Sequence, residues 1–174
     1  MTNKEMSELF SVMMLAWPNA EMFKGGIQKL APTIKLWTSC LPEIDFWTGQ
    51  QALVKLCRVC KFPPTIAEFK EQADILNQEI QSRIGEIENE IRNAKFLYGS
   101  LERWYAHLPD GITTKVLVDR MGGITALTET HTHNGETYSM WRWSKLEAEY
   151  HKYLRERKTL PGGSVTALPA KKES

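Results

Sequence analysis

Residues 61–98 read KFPPTIAEFKEQADILNQEIQSRIGEIENEIRNAKFLY, and the fold is decided there. Pro63 and Pro64 each lack an N–H and fix φ, so neither sits inside a helix. Thr65 follows them, and Glu68 stands three residues later. That spacing is a capping box: the Thr65 hydroxyl takes an amide of the first turn, and the Glu68 carboxylate reaches back to the Thr65 amide. A helix is therefore expected from Ile66. The apolar residues after it are Ile66, Phe69, Ala73, Leu76, Ile80, Ile84, Ile87, Ile91 and Ala94. Their three- and four-residue spacings make a heptad seam, with one stutter at Leu76–Ile80–Ile84. Glu71, Asp74, Glu79, Glu86, Glu88 and Glu90 lie between the seam positions, so the outer face is acidic. Unbroken to Tyr98, such a helix is roughly 50 Å long at about 1.5 Å per residue. It reads as a spine between a helical N-terminal module and a C-terminal one.

Upstream, Met6, Leu9, Phe10, Met13, Met14 and Trp17 recur at helical spacing, and Pro18-Asn19 closes that helix. Gly25-Gly26 marks a turn. Pro32 suits the start of a second helix carrying Ile34, Trp37 and Leu41. Asp45 caps a third, with Phe46, Leu53, Leu56, Cys57 and Cys60 turned inward. A bundle of these helices is expected to bury Trp17, Trp37, Leu53, Phe62 and Phe69 together.

Downstream, Gly99-Ser100 breaks the spine and Leu101, Trp104, Tyr105 and Leu108 continue an apolar face. Pro109-Asp110-Gly111 is a turn. Ile112–Met121 reads as a short helix ended by Gly122-Gly123. Asn134-Gly135 is the favoured two-residue hairpin turn. It pairs Ile124–His133 with Glu136–Trp143, so that Thr128 faces Trp141, Ala126 faces Trp143 and His131 faces Tyr138. Ser144 and Glu147 suggest a second capping box, opening a helix whose stripe is Leu146, Tyr150, Tyr153 and Leu154. The expected architecture is mainly α. It has an N-terminal helical module (1–64), a long heptad-patterned helix (65–98), a small C-terminal α+β module with one β-hairpin (99–158) and a disordered tail (159–174).

The 174 residues carry 22 basic and 21 acidic side chains. Residues 99–174 hold 11 of the basic and 9 of the acidic ones, so a slight basic excess sits beyond the acidic spine. No run approaches the roughly 18 apolar residues of a membrane span. The opening MTNKEMSEL does not read as a signal peptide, and three cysteines fit a reducing cytoplasm, here that of a bacterial host. Nucleotide-loop and nucleophile-elbow motifs are absent, and neither catalysis nor a cofactor is expected. Cys57-Arg-Val-Cys60 and His131-Thr-His133 have ligand-like spacing. Both are accounted for more simply, by an inward helical stripe and by strand alternation, so no metal is expected.

Two surfaces remain as candidates. The acidic residues Glu71, Asp74, Glu79, Glu86, Glu88 and Glu90 suit a protein partner. Lys115, Arg120, Arg142 and Lys145, with His131 and Tyr138 at the hairpin, suit contact with DNA phosphates. The seam itself needs a cover. Either the C-terminal stripe of Leu146, Tyr150 and Leu154 supplies it, or a second copy does, as a homodimer.

Trp17-Pro18, Trp37 and Leu41, Ala52, and above all Lys61-Phe-Pro-Pro-Thr-Ile-Ala-Glu68 resemble the phage replicative-helicase loader and inhibitor proteins, over about Met6 to Ala73. The resemblance implies a small all-α domain of phage or prophage origin. It also implies a protein that binds a replicative helicase, holds it inactive and helps deliver it, with no catalytic residues to carry over. The family's partner-binding part is C-terminal and does not align here. An anti-CRISPR inhibitor of a CRISPR nuclease is the alternative, since an acidic helix suits a nucleic-acid groove.

Overall fold

The computed structural model describes residues 1–159; the expected tail falls, from Leu160 on, outside the described residues. Its elements are α1 (Asn3–Ala16), two 3₁₀ turns (Glu21–Phe23 and Ile27–Leu30), α2 (Ala31–Cys40), α3 (Phe46–Val59), α4 (Ile66–Tyr98), α5 (Leu101–His107), α6 (Thr113–Met121), a 3₁₀ turn (Ile124–Leu127), β1 (Thr128–His133), β2 (Glu136–Trp141) and α7 (Trp143–Thr159). The chain divides into two compact units, Met1–Arg83 and Ile84–Ser174, and the division lies inside α4.

In the first unit each helix starts where local chemistry dictates. Thr2 and Glu5 form a capping box on α1. The Asp45 carboxylate accepts the Trp47 and Thr48 amides at 3.0 and 3.2 Å, satisfying two donors at the start of α3. Thr65 and Glu68 cap α4 as read. The Thr65 amide and hydroxyl donate to Glu68 Oε2 at 2.7 and 2.8 Å, and the Glu68 amide donates to Thr65 Oγ1 at 3.2 Å. The core gathers Met6, Leu9, Phe10, Met13 and Trp17 from the first helix and its end, Ile34, Trp37 and Leu41 from the second, Ala52, Leu53 and Leu56 from the third, and Phe69, Ala73 and Leu76 from α4. Trp37 stands at its centre. Phe10 meets it edge-on at 5.2 Å and Phe69 at 5.5 Å, the geometry aromatic quadrupoles favour. Phe62 does not join them. It is 71% exposed, because the two prolines after it hold the backbone extended at the surface.

In the second unit Ile84, Ile87, Ile91 and Ala94 are buried by the chain itself; Ile87 and Ile91 are at 0% exposure. Trp104, Leu117, Val118, Met121, Leu127, Leu146, Tyr150 and Tyr153 are buried in the same unit. The buried Thr114 hydroxyl donates to Glu90 at 3.0 Å, and the Arg92 guanidinium lies over the Trp143 ring at 5.5 Å. These two contacts set the starts of α6 and α7 beside this stretch of α4. Gly122, at φ 106°, ends α6 in the left-handed conformation that glycine adopts without a steric penalty.

The hairpin has the expected register, Thr128 opposite Trp141 and His131 opposite Tyr138, around Asn134-Gly135. It is shorter than expected at its open end. Ile124–Leu127 is a 3₁₀ turn, and Trp143 opens α7, so Ala126 and Trp143 do not pair as strand residues. The reason is Arg142. Its amide donates to the Leu127 carbonyl at 2.8 Å, while its carbonyl takes the Lys145 and Leu146 amides, both at 3.1 Å. That carbonyl begins α7 ahead of Ser144, which therefore lies inside the helix and is not its cap.

The Thr65 amide and hydroxyl hold the Glu68 carboxyl below its ordinary value of 4.5. A carboxyl lowered in the folded state adds stability that is complete above its unfolded value and is lost as pH falls through the folded one. Thermal melts of wild type and Glu68→Gln from neutral pH to about pH 3 are expected to differ most above 4.5 and to converge below it. A constant difference would show that the carboxylate charge plays no part in the cap.

Candidate partner-binding surfaces

The six acids of α4 fall into groups once their partners are traced. Glu79, Glu86 and Glu90 follow one another at seven and four residues and share one stripe. Glu79 accepts Lys55 of α3 at 3.1 Å, and Glu90 is half-buried and accepts Thr114. Asp74 shares Lys70 with Glu43: Lys70 Nζ is 2.7 Å from Glu43 and 3.2 Å from Asp74. Lys70 is held above the usual lysine range by Glu43 first and Asp74 second, and Glu43 is correspondingly lowered by Lys70. Three of the six expected partner contacts thus already serve the fold. Glu71 and Glu86 are exposed, and Glu88 is half-buried.

The four cations expected at the hairpin module are likewise engaged. Lys115 pairs with Asp110 at 2.6 Å, reaches the Leu108 carbonyl at 3.4 Å, and lies over the Tyr105 ring. Asp110 raises Lys115 and is lowered by it. Arg120 pairs with Glu156 of α7 and covers the Tyr153 ring at 5.3 Å. Arg142 stands 3.4 Å from Glu129, and Lys145 donates to the Met121 carbonyl at 2.9 Å. His131 stacks on Tyr138 at 5.8 Å and meets Glu129 at 2.9 Å. Each cation is neutralised or spent on a carbonyl, and they are spread over α6, the end of β2 and α7 rather than collected on one face.

A feature missed in the sequence lies in the first unit. Ala16–Met22 and Lys61–Pro63 line a cleft of about 660 Å³. Trp17 forms one wall, anchored by its Nε1, which donates to the Cys60 carbonyl at 3.2 Å. The exposed Phe62 ring forms the other, with Lys61 Nζ 5.7 Å above it. The signal was present as Trp17-Pro18 and the FPP step, but their proximity comes from the packing of α1 against α3.

Residues 1–70 match the family model for the N-terminal domain of the phage helicase loader/inhibitor gp39. The match covers the first module and the opening turn of α4, including every residue of that cleft. It agrees with the resemblance carried by Trp17-Pro18 and the FPPT step, and it relates this part of the chain to the phage helicase loader and inhibitor proteins. No curated protein and no solved structure matches the chain.

Among the described residues no group of three or more His, Cys, Asp and Glu side chains is placed to hold a metal ion, and no helix is long and apolar enough to cross a membrane. Cys57 and Cys60 are half-buried against the first core. Burial pushes the Cys57 thiol above its ordinary value, and Cys60 adds to the shift. Since the thiolate is the nucleophile, iodoacetamide at mildly alkaline pH should label the exposed Cys40 well before Cys57. Peptide mass mapping over time reads this directly. Labelling of Cys57 as fast as Cys40 would show an activated thiol.

Proposed function

We propose that the chain is a phage or prophage regulatory protein that binds a nucleic-acid-acting machine, a replicative helicase, and inhibits or loads it in the bacterial host cell. The family match over residues 1–70 carries this reading. The protein acts by occupancy and performs no catalysis of its own, consistent with a regulatory family. The solvent-facing acids of α4, Glu71, Glu86 and Glu88, supply the contact and set orientation on the partner. Charges at a rim govern encounter and register more than raw affinity. Asp74, Glu79 and Glu90 hold α4 in place and contribute indirectly.

The test is binding of the full chain to a purified hexameric replicative helicase, read by an optical biosensor, with helicase ATPase followed in parallel. Wild type is expected to bind and to change the ATPase rate. The triple variant Glu71→Lys, Glu86→Lys, Glu88→Lys is expected to bind about tenfold more weakly, a loss of about 1.4 kcal/mol. Absence of binding to the helicase by wild type, with capture of a CRISPR nuclease from the same host instead, would replace this reading with the anti-CRISPR one.

A further inference from the structure

The C-terminal end of α4 and the α5 helix carry an exposed surface that no reading above uses. Phe96 is 89% exposed, the most exposed aromatic ring among the described residues, and Leu97 and Tyr98 beside it are also open. Arg92 precedes Phe96 by four residues, so the two share one face of α4, with Lys95 adjacent. Gly99, at φ 78°, turns the chain back into α5. There Arg103 and His107 lie four residues apart on one face. His107 Nδ1 donates to the Arg103 carbonyl at 2.6 Å, and its ring meets Tyr98 at 5.5 Å. The turn therefore brings two rings of α4, one imidazole and the cations Lys95 and Arg103 to one corner, with Arg92 one turn upstream.

The charge here differs from that at the hairpin. Arg92, Lys95 and Arg103 are exposed, and none has a carboxylate within salt-bridge distance among the described residues. The nearest opposing acid is Glu102, which senses Lys95 without pairing to it and is itself lowered chiefly by its own backbone and by Ser100. Cations without carboxylate partners, interleaved with solvent-facing rings, form a platform for stacked bases beside a backbone-tracking charge. Rings without the cations would fit a protein, and cations without the rings would fit duplex phosphates.

We propose that this corner binds single-stranded nucleic acid, with Phe96 and Tyr98 stacking on bases and Lys95, Arg103 and Arg92 meeting phosphates. The acids upstream on α4 direct the strand along α5, away from the acidic stretch. The proposal stands apart from the helicase reading and does not depend on it.

The experiment is fluorescence anisotropy of the full chain with a labelled thymidine oligonucleotide of about 20 nucleotides, longer than a typical single binding site, at about 50 mM salt, against a duplex of equal length. The single strand is expected to bind more tightly than the duplex. Phe96→Ala should weaken it about fivefold or more while leaving the melting temperature unchanged, since the ring is exposed. The pair Lys95→Gln, Arg103→Gln should reduce the slope of log affinity on log salt by about 1.4. No binding, equal binding of duplex, or binding indifferent to Phe96→Ala would overturn the proposal. So would binding lost only on Lys115→Gln with Arg142→Gln, which places the contact at the hairpin. If the oligonucleotide is not bound but the helicase is, this inference fails and the functional reading above survives.

Discussion

The structure depends on covering one apolar seam. From Phe69 to Ala94, α4 presents an apolar residue every three or four positions, and each one is buried within a single chain. Removing an isoleucine from water contributes about 1.5–3 kcal/mol, and Ile84, Ile87 and Ile91 have no other apolar company along their own helix. Such a helix persists only where tertiary packing supports it, because propensity alone does not hold it in water. The rest of the chain supplies that support in two instalments. The first core holds Phe69, Ala73 and Leu76, and the second unit holds Ile84 onward.

The same requirement sorts the charged residues. Asp74, Glu79 and Glu90 are tied to Lys70, Lys55 and Thr114, which places them among the contacts that hold α4 against its neighbours. Lys115, Arg120, Arg142 and Lys145 close α6, α7 and the hairpin upon one another. What α4 and α5 turn toward solvent is narrower than charge counting alone indicates: Glu71, Glu86 and part of Glu88 on the acidic side, and Arg92, Lys95 and Arg103 beside exposed rings at the other end. A residue that braces one segment of the fold against another must give up that contact before it binds anything else.

Much of the fold was legible because its signals are local. The Thr65–Glu68 box, the Asp45 cap, the heptad spacing and Asn134-Gly135 each act within a few residues, and each stands as read. The misreadings arose where a distant group decides. Ser144 has the composition of a cap, but the Arg142 carbonyl, fixed by its neighbouring amide on Leu127, starts α7 first. Phe62 looks like a core residue by type, but the prolines beside it determine its place. The candidate site was less legible than the fold. Sequence shows that a residue is charged; it does not show whether another segment has already paired it. The cleft between Trp17 and Phe62 and the corner at Phe96 escaped for the same reason, since both join residues that the spacing keeps apart or the helical pattern assigns to an interior.

Native-state hydrogen exchange of α4, followed over a wide range of protein concentration, tests the central claim most directly. If the chain covers its own seam, amides from Ile84 to Ala94 are protected at every concentration, as are those from Phe69 to Leu76. Protection of Ile84–Ala94 that disappears on dilution would contradict the account and make the second half of the seam an interface between copies of the chain.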